Sequence, residues 1–334
     1  MILAGDIGGT NTRLAFFDGT PDSLTPAAIE VFPSREYKGP EEIALKFLAK
    51  HNQKISAACF GIAGAVLDGR VQTPNLPWVA DETQIAEALG LHGVSLINDL
   101  EANAHGIFLL QESDLVLLNP GTPSARGSRA LISAGTGLGE AGLLAEPGGL
   151  YRPFASEGGH VDFAPRNDLE IDLLRYLLGH YEHVSYERVL SGPGLYNIYN
   201  FLRDTGRGDE PAWLTQQITH GDPSAVIAKS ALEGTSAICV QALDMFVSIY
   251  GAEAGNLALK VVAIGGLYIG GGIAPKILRK LSSSTFLKAF SDKGRVASWL
   301  RDIPVRVIIN DKAALYGAGR VAALSLAAKQ TLTA

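Results

Sequence analysis

Mostly apolar runs at residues 2–7, 10–17, 28–32, 55–62 and 94–97 are short and end in glycine or polar clusters, which predicts strands. Gly8-Gly9 joins the first two as a hairpin. Helical spacing begins at Pro40-Glu41-Glu42, with Ile43, Phe47 and Leu48 on one face. Asp81 and Gln84 resemble a capping box that opens a helix ending at Leu89, and another helix is expected from Glu101. The order is a three-strand meander, then helix, strand, helix, strand and helix, so it predicts an α/β domain with a mixed sheet. The second half begins in the same way, with apolar 130–134, a turn at Gly135-Thr136-Gly137 and a return over 140–145. Helical stretches follow at 169–178 and 225–250, then a strand at 260–264, a glycine-rich turn into 275–281, a strand at 305–309 and a helix over 313–328. The matching hairpins suggest duplication, although no residue-level repeat is read. The expected architecture is two α/β domains with an interdomain cleft: a small one, 1–109 plus 311–334, and a large one, 110–310.

Composition narrows the class. Of 334 residues 47% are hydrophobic and 19% charged, enough for full cores. Net charge is −6, from 28 Lys plus Arg against 34 Asp plus Glu, which argues against nucleic acid as a partner. Cys59 and Cys239 are scattered in apolar runs, too few for a zinc cluster and suited to a reducing cytoplasm. Residues 261–274 are apolar but contain five glycines and stop at Pro275, so no membrane span is expected there. Asp6 interrupts an N-terminus without a basic region, which excludes a signal peptide from the reading. The expected location is cytoplasmic. Glycine occurs 38 times, and much of the excess clusters beside apolar runs, where close backbone approach to a ligand is possible.

Those clusters carry the candidate chemistry. No G-x-x-x-x-G-K-[ST] is present, and Gly137-Leu-Gly139-Glu-Ala-Gly142 precedes a strand where a dinucleotide site needs a helix. In Asp6-Ile-Gly8-Gly9-Thr10-Asn11 the hairpin tip offers backbone N–H groups as an anion nest, Thr10 and Asn11 add donors, and Asp6 suits a hydrated Mg²⁺. Alone, this reads more readily as an ordinary hairpin. The second tip, with Thr136 and Gly137, makes a pair of loops that can clamp a polyphosphate. Gly265-Gly266-Leu-Tyr-Ile-Gly270-Gly271-Gly272-Ile-Ala-Pro275 suits an adenosine pocket, with a helix N-terminus expected after it.

D-x-G-G-T, the A-G-T-G-x-G hairpin and the late G-G-x-x-x-G-G-G-I-x-P together resemble the sugar kinase–actin–Hsp70 superfamily. Within it, Leu-Ile-Asn98-Asp99, Glu157-Gly158-Gly159-His160-Val-Asp162-Phe-Ala-Pro165 and Glu187-Arg-Val-Leu-Ser191-Gly192-Pro193-Gly194 resemble the bacterial glucokinase family, in order, from Gly5 to about Gly319. The resemblance implies two RNase H-like α/β domains and ATP-dependent phosphorylation of the glucose 6-hydroxyl, with ATP and Mg²⁺ as cofactors. It implies a nucleotide site at Gly5, Asp6, Gly8, Gly9, Thr10, Asn11, Thr136, Gly137, Gly271 and Gly272, with Asp6 toward the metal. Hexose hydroxyls need carboxylates, amides and imidazoles around them. Asn98, Asp99, Glu157, His160 and Glu187 supply that set, with Asn75 as a weaker addition. Asp99, placed between a strand and a helix, is read as general base or as helix cap, and the resemblance favours the base. Domain closure is expected to exclude water and complete the site. The repressor-ORF-kinase group carries a cysteine-rich zinc motif after its E-x-G-H; here Asp162-Phe-Ala-Pro165 stands there, so no structural zinc is expected. A homodimer is implied as well. Kinases for another hexose or an N-acetylhexosamine, and a non-catalytic sugar or nucleotide sensor, remain the alternatives.

Overall fold

Period-2 alternation sorts the first strands onto two faces of a sheet. In β1 (Ile2–Ile7), Leu3 and Ile7 join Phe16, Phe47 and Phe60 on one side, while Ile2 and Ala4 pack with Phe17 and Cys59 on the other. The computed structural model describes residues 1–73, 76–122, 127–149 and 151–333. It divides into two units, Met1–Asp114 with Asn310–Ala334, and Leu115–Ile309.

The first unit holds β1, β2 (Asn11–Thr20), β3 (Ser23–Pro33), β4 (Ala57–Ile62), a small ribbon of β5 (Arg70–Gln72) and β6 (Val79–Asp81), and β7 (Ser95–Asn98). Its main sheet runs β3-β2-β1-β4-β7. The meander is antiparallel, and β1, β4 and β7 are parallel, with Ile7, Ile62 and Asn98 in one cross-strand row. Helices Pro40–His51 and Glu82–Leu89 belong to one face, and the C-terminal helix Ala313–Thr333 covers the other. That last helix crosses helix Asp99–Gly106 in backbone contact. A Cβ on Gly106 would collide with the Ala313 carbonyl, and one on Gly317 with the Ala102 carbonyl.

The second unit holds β8 (Leu115–Asn119), β9 (Arg129–Ala134), β10 (Leu138–Ala145), β11 (Tyr151–Ser156), β12 (Gly266–Gly270) and β13 (Val305–Ile308), in the order β11-β10-β9-β12-β13-β8. From β9 onward the order and the strand directions repeat those of the first unit, and β8 adds an antiparallel edge. The duplication is therefore present in the topology. Helix Ala237–Lys260 is long and apolar enough to cross a membrane by length and composition, yet it is a core helix, with 72% of its most apolar window buried.

Several expected elements differ. Residues 260–264 form no strand: the helix continues to Lys260, Val262 takes φ 53°, and the strand starts at Gly266. Just before this central strand the backbone runs close to its neighbour, and a Cβ on Gly265 would strike the Gly127 carbonyl. The stretch 225–250 is split by Gly234, which caps helix Pro223–Glu233 in the left-handed conformation at φ 71°. Of residues 275–281 the first three form a turn, and the helix begins only at Leu278 and ends at Leu281. The helix expected from Glu101 starts at Asp99. Residues 110–114 belong to the first unit, where Asp114 accepts a hydrogen bond from Asn310 at 3.1 Å.

Candidate active site

In sheets of this kind ligands collect at the carboxyl ends of parallel strands, and the first unit places its predicted residues there. Asp6 is the penultimate residue of β1 and is half-buried, opposite Arg13 of β2. Burial pushes the Asp6 carboxyl up to about 6, with Asp99 and Asp311 adding to the rise and Arg13 opposing it. Arg13 Nη2 in turn donates to Asp311 Oδ2 at 2.8 Å. Beyond Asp6 the hairpin tip is tied down. Gly8 N–H donates to the Asn11 carbonyl at 3.0 Å, and Ser34 Oγ donates to the Gly8 carbonyl at 2.7 Å. Ser34 N–H donates to the Thr10 carbonyl at 2.9 Å. Gly8 and Gly9 remain half-buried while Thr10 and Asn11 are exposed. Gly5 lies behind this tip, and a Cβ there would collide with the Phe60 ring, so packing accounts for it.

At the end of β7, Asn98 and Asp99 divide the work differently from the expectation. Asn98 is the helix cap: Oδ1 accepts from Leu100 N–H at 2.8 Å, and Nδ2 donates to the Gly64 carbonyl at 3.0 Å. Asp99 is the first helical residue, where a carboxylate is favoured by the helix dipole. Its Oδ1 accepts from Leu100 N–H at 3.0 Å. Asn75 lies outside the described residues.

The second unit gathers the remaining predicted residues around the start of β10. In the tip between β9 and β10, Gly135 N–H donates to the Gly137 carbonyl at 2.8 Å, and Thr136 is exposed. Glu187 lies in the 3₁₀ turn Tyr186–Arg188 rather than at a helix start. Its Oε2 accepts from Leu138 N–H at 3.0 Å and fills the space where Gly137 would carry a Cβ. Glu157 precedes the turn Gly158–His160 and His160 closes it, both exposed, with Oε2 and Nε2 at 3.8 Å. His160 and Glu187 line one cavity of about 380 Å³, shared with Tyr181, His183 and Arg188. On the adjacent parallel strand, Gly271 leaves β12 at φ 83° and lies so close to the Ala134 carbonyl that a Cβ would clash. Gly272 beside it borders open space. Thr136, Gly137, Gly271 and Gly272 thus follow neighbouring strand ends.

The description "Glucokinase" belongs to the family model that matches residues 3–325. A glucokinase of Nostoc sp. is 43% identical over 97% of this chain and 99% of its own length. The chain belongs to the glucokinase family. A glucokinase of Cronobacter sakazakii is 36% identical, covering 95% of each chain. The crystal structure of glucokinase from an Antarctic psychrotroph superposes with a TM-score of 0.84 at 30% identity, over 96% of this chain and 98% of that one. A repressor-ORF-kinase glucokinase from Streptomyces griseus, solved with glucose and AMPPNP, shares the fold at a TM-score of 0.66 and 20% identity.

Two neighbours of Asp6, Arg13 and Asp311, are not among the residues expected from the sequence. A signal was available. Ile97-Asn98-Asp99 before one helix is repeated as Ile309-Asn310-Asp311 before the other. Asn310 Oδ1 accepts from Lys312 N–H at 2.9 Å just as Asn98 accepts from Leu100. The matching strand ends of the duplicated topology thus share this tripeptide and its capping bond. Among the described residues no group of three or more His, Cys, Asp or Glu could hold a metal. Mg²⁺ that keeps its waters and takes phosphate oxygens needs only one or two carboxylates. Asp6, with Asp99 beside it, fits that requirement.

Proposed function

We propose that this protein transfers the γ-phosphoryl group of ATP to the 6-hydroxyl of glucose, giving glucose 6-phosphate and ADP. The observation that carries the reading is the placement of Asp6 and Asp99 at the carboxyl ends of the parallel strands β1 and β7 of one sheet. Asp99 accepts the proton of the attacking hydroxyl as general base. Asn98, with one amide hydrogen left beyond its bond to Gly64, joins Asp99, Glu157, His160 and Glu187 in binding the sugar hydroxyls. Gly8, Gly9, Thr10, Asn11, Thr136 and Gly137 hold phosphates, and Gly271 and Gly272 flank the nucleoside. Gly5 serves the same site by letting β1 pack on Phe60. Asp6 would hold Mg²⁺, which when bound would neutralise phosphate charge. The same resemblance supports a homodimer and a cytoplasmic location, the latter in keeping with two buried free cysteines.

The test is ATP-dependent phosphorylation across glucose, mannose, fructose, galactose and N-acetylglucosamine, with Asp99→Ala alongside. Turnover on glucose, reduced by on the order of 10²–10⁴ in kcat in the mutant, supports the reading. Turnover on a different sugar replaces the substrate, and near-full activity of Asp99→Ala removes the base. Nucleotide binding with silence on all five sugars would favour a sensor.

A further inference from the structure

Behind the Glu157–His160 turn lies a buried acidic pair that the proposed mechanism does not use. Glu140 of β10 is 1% exposed and Glu253 of helix Ala237–Lys260 is 0% exposed. Glu253 is the carboxyl that faces Glu140, and among the described residues no donor reaches Glu140 Oε1. Two carboxylates in contact inside a core cannot both be ionised, so such a pair holds one proton.

What surrounds the pair gives it a task. Gly158 is seated directly on Glu140: a Cβ there would collide with Oε2 and stand 2.7 Å from Cδ. Gly158 N–H is held by Ser156 Oγ at 3.0 Å, on the residue paired with Glu140 across β10 and β11. Gly159 lies equally close to the backbone of Leu138, whose N–H donates to Glu187. Glu253 reaches the second turn. Its Oε2 accepts from Asn256 Nδ2 at 2.8 Å, and the same amide donates to Tyr186 Oη, next to Glu187, at 3.1 Å. Lys260 Nζ donates to Glu253 Oε1 at 3.2 Å, and Lys293 Nζ to Asn256 Oδ1 at 2.6 Å.

We propose that Glu140 and Glu253, sharing one proton, form a positioning pair that fixes the Gly158–His160 and Tyr186–Arg188 turns and thereby the affinity for sugar. The proposal rests on the reading of Glu157, His160 and Glu187 as sugar contacts. Loss of the proton places two negative charges beneath Gly158, and the turn must shift or admit water. The charged and titratable groups facing the pair are Tyr250 and Lys260 from the long helix, Tyr186 from its turn, and, one layer further out, Arg166 and Lys293. Only Lys260 directly offsets the second charge. Burial and the neighbouring Glu253 push the Glu140 carboxyl up to about 8, so the release falls on the alkaline side of neutrality.

The experiment measures glucose KM and kcat from pH 6.5 to 9.5 for the wild type, Glu140→Gln and Glu253→Gln. Glutamine keeps the shape and acts as a permanently protonated carboxyl. The wild-type KM should rise above pH 8 by up to about tenfold per pH unit, with kcat changing much less. Either glutamine variant should flatten that rise, and the second serves if the first does not fold. A KM profile in both variants that parallels the wild type overturns the proposal while leaving the kinase reading intact. Absence of glucose phosphorylation in the wild type would instead overturn the kinase reading itself.

Discussion

Asp6→Asn should stabilise the ligand-free protein while disabling the enzyme. The carboxyl has an ordinary value of 3.8 and is raised to about 6 in the fold, chiefly by burial and then by Asp99 and Asp311. In the unfolded chain it ionises near pH 4; in the native state it keeps its proton until about pH 6. Between those values the native state binds the extra proton, so wild-type stability falls as pH rises through the window and the loss is complete above it. A shift of roughly two units corresponds to about 3 kcal/mol. Asparagine is neutral throughout and escapes that loss. The stability of Asp6→Asn relative to the wild type should therefore grow by about 3 kcal/mol between pH 4 and pH 6.5, then stay level. Trp78 is the only tryptophan among residues 1–114 and 310–334, and it is buried. With Trp213 and Trp299 replaced by Phe, urea unfolding followed by Trp78 fluorescence reports this unit alone. A pH-independent difference between mutant and wild type would refute the reasoning. The kinase activity of Asp6→Asn should drop by on the order of 10² in kcat, since the stored repulsion is what a cation–phosphate complex relieves.

Two further outcomes follow from contacts. Gly317→Ala gains about 1 kcal/mol of helix propensity, but its Cβ meets Ala102 and Gly106 backbone atoms that cannot turn aside. The net effect should be a loss of about 1–3 kcal/mol, read as a lowered Tm of the first unit. Glu187→Ala should lower Tm by leaving Leu138 N–H unpaired and raise glucose KM at least about tenfold, whereas Glu187→Gln, whose carbonyl still accepts that bond, should restore Tm more than KM.

How much of this was legible depends on whether a residue's task is local. The two hairpins were readable because a period of 2 and a glycine turn are neighbours in sequence, and the Asp6–Asn11 loop came with them. The start of helix Asp99–Gly106 lies two residues before the expected one because Asn98 and Asp99 are both good first-turn residues, and only the acceptance of Leu100 and Glu101 N–H by Asn98 Oδ1 shows which one caps. Strand β12 begins later than the apolar run suggests because glycine counts against strands locally, while here Gly265 and Gly271 at its two ends are demanded by the close backbone of Gly127 and Ala134. Glu140 gave no signal at all. A glutamate in a strand reads as solvent-facing, and its burial depends on Glu253, which lies more than a hundred residues away.

The same distinction revises the meaning of the glycine excess. It was read as room for a ligand, and Gly272 beside open space fits that. Gly5, Gly106, Gly158 and Gly317 instead each face an atom that a Cβ would strike: an aromatic ring, two carbonyls and a carboxyl oxygen. These contacts belong to the frame that holds the site. Close approach of bare glycine backbone to these neighbours fixes where β1, helix Asp99–Gly106 and the Glu157–His160 turn stand, and those elements carry Asp6, Asp99 and His160. In this fold much of the glycine acts on the chemistry at one remove, by allowing the elements that bear it to approach.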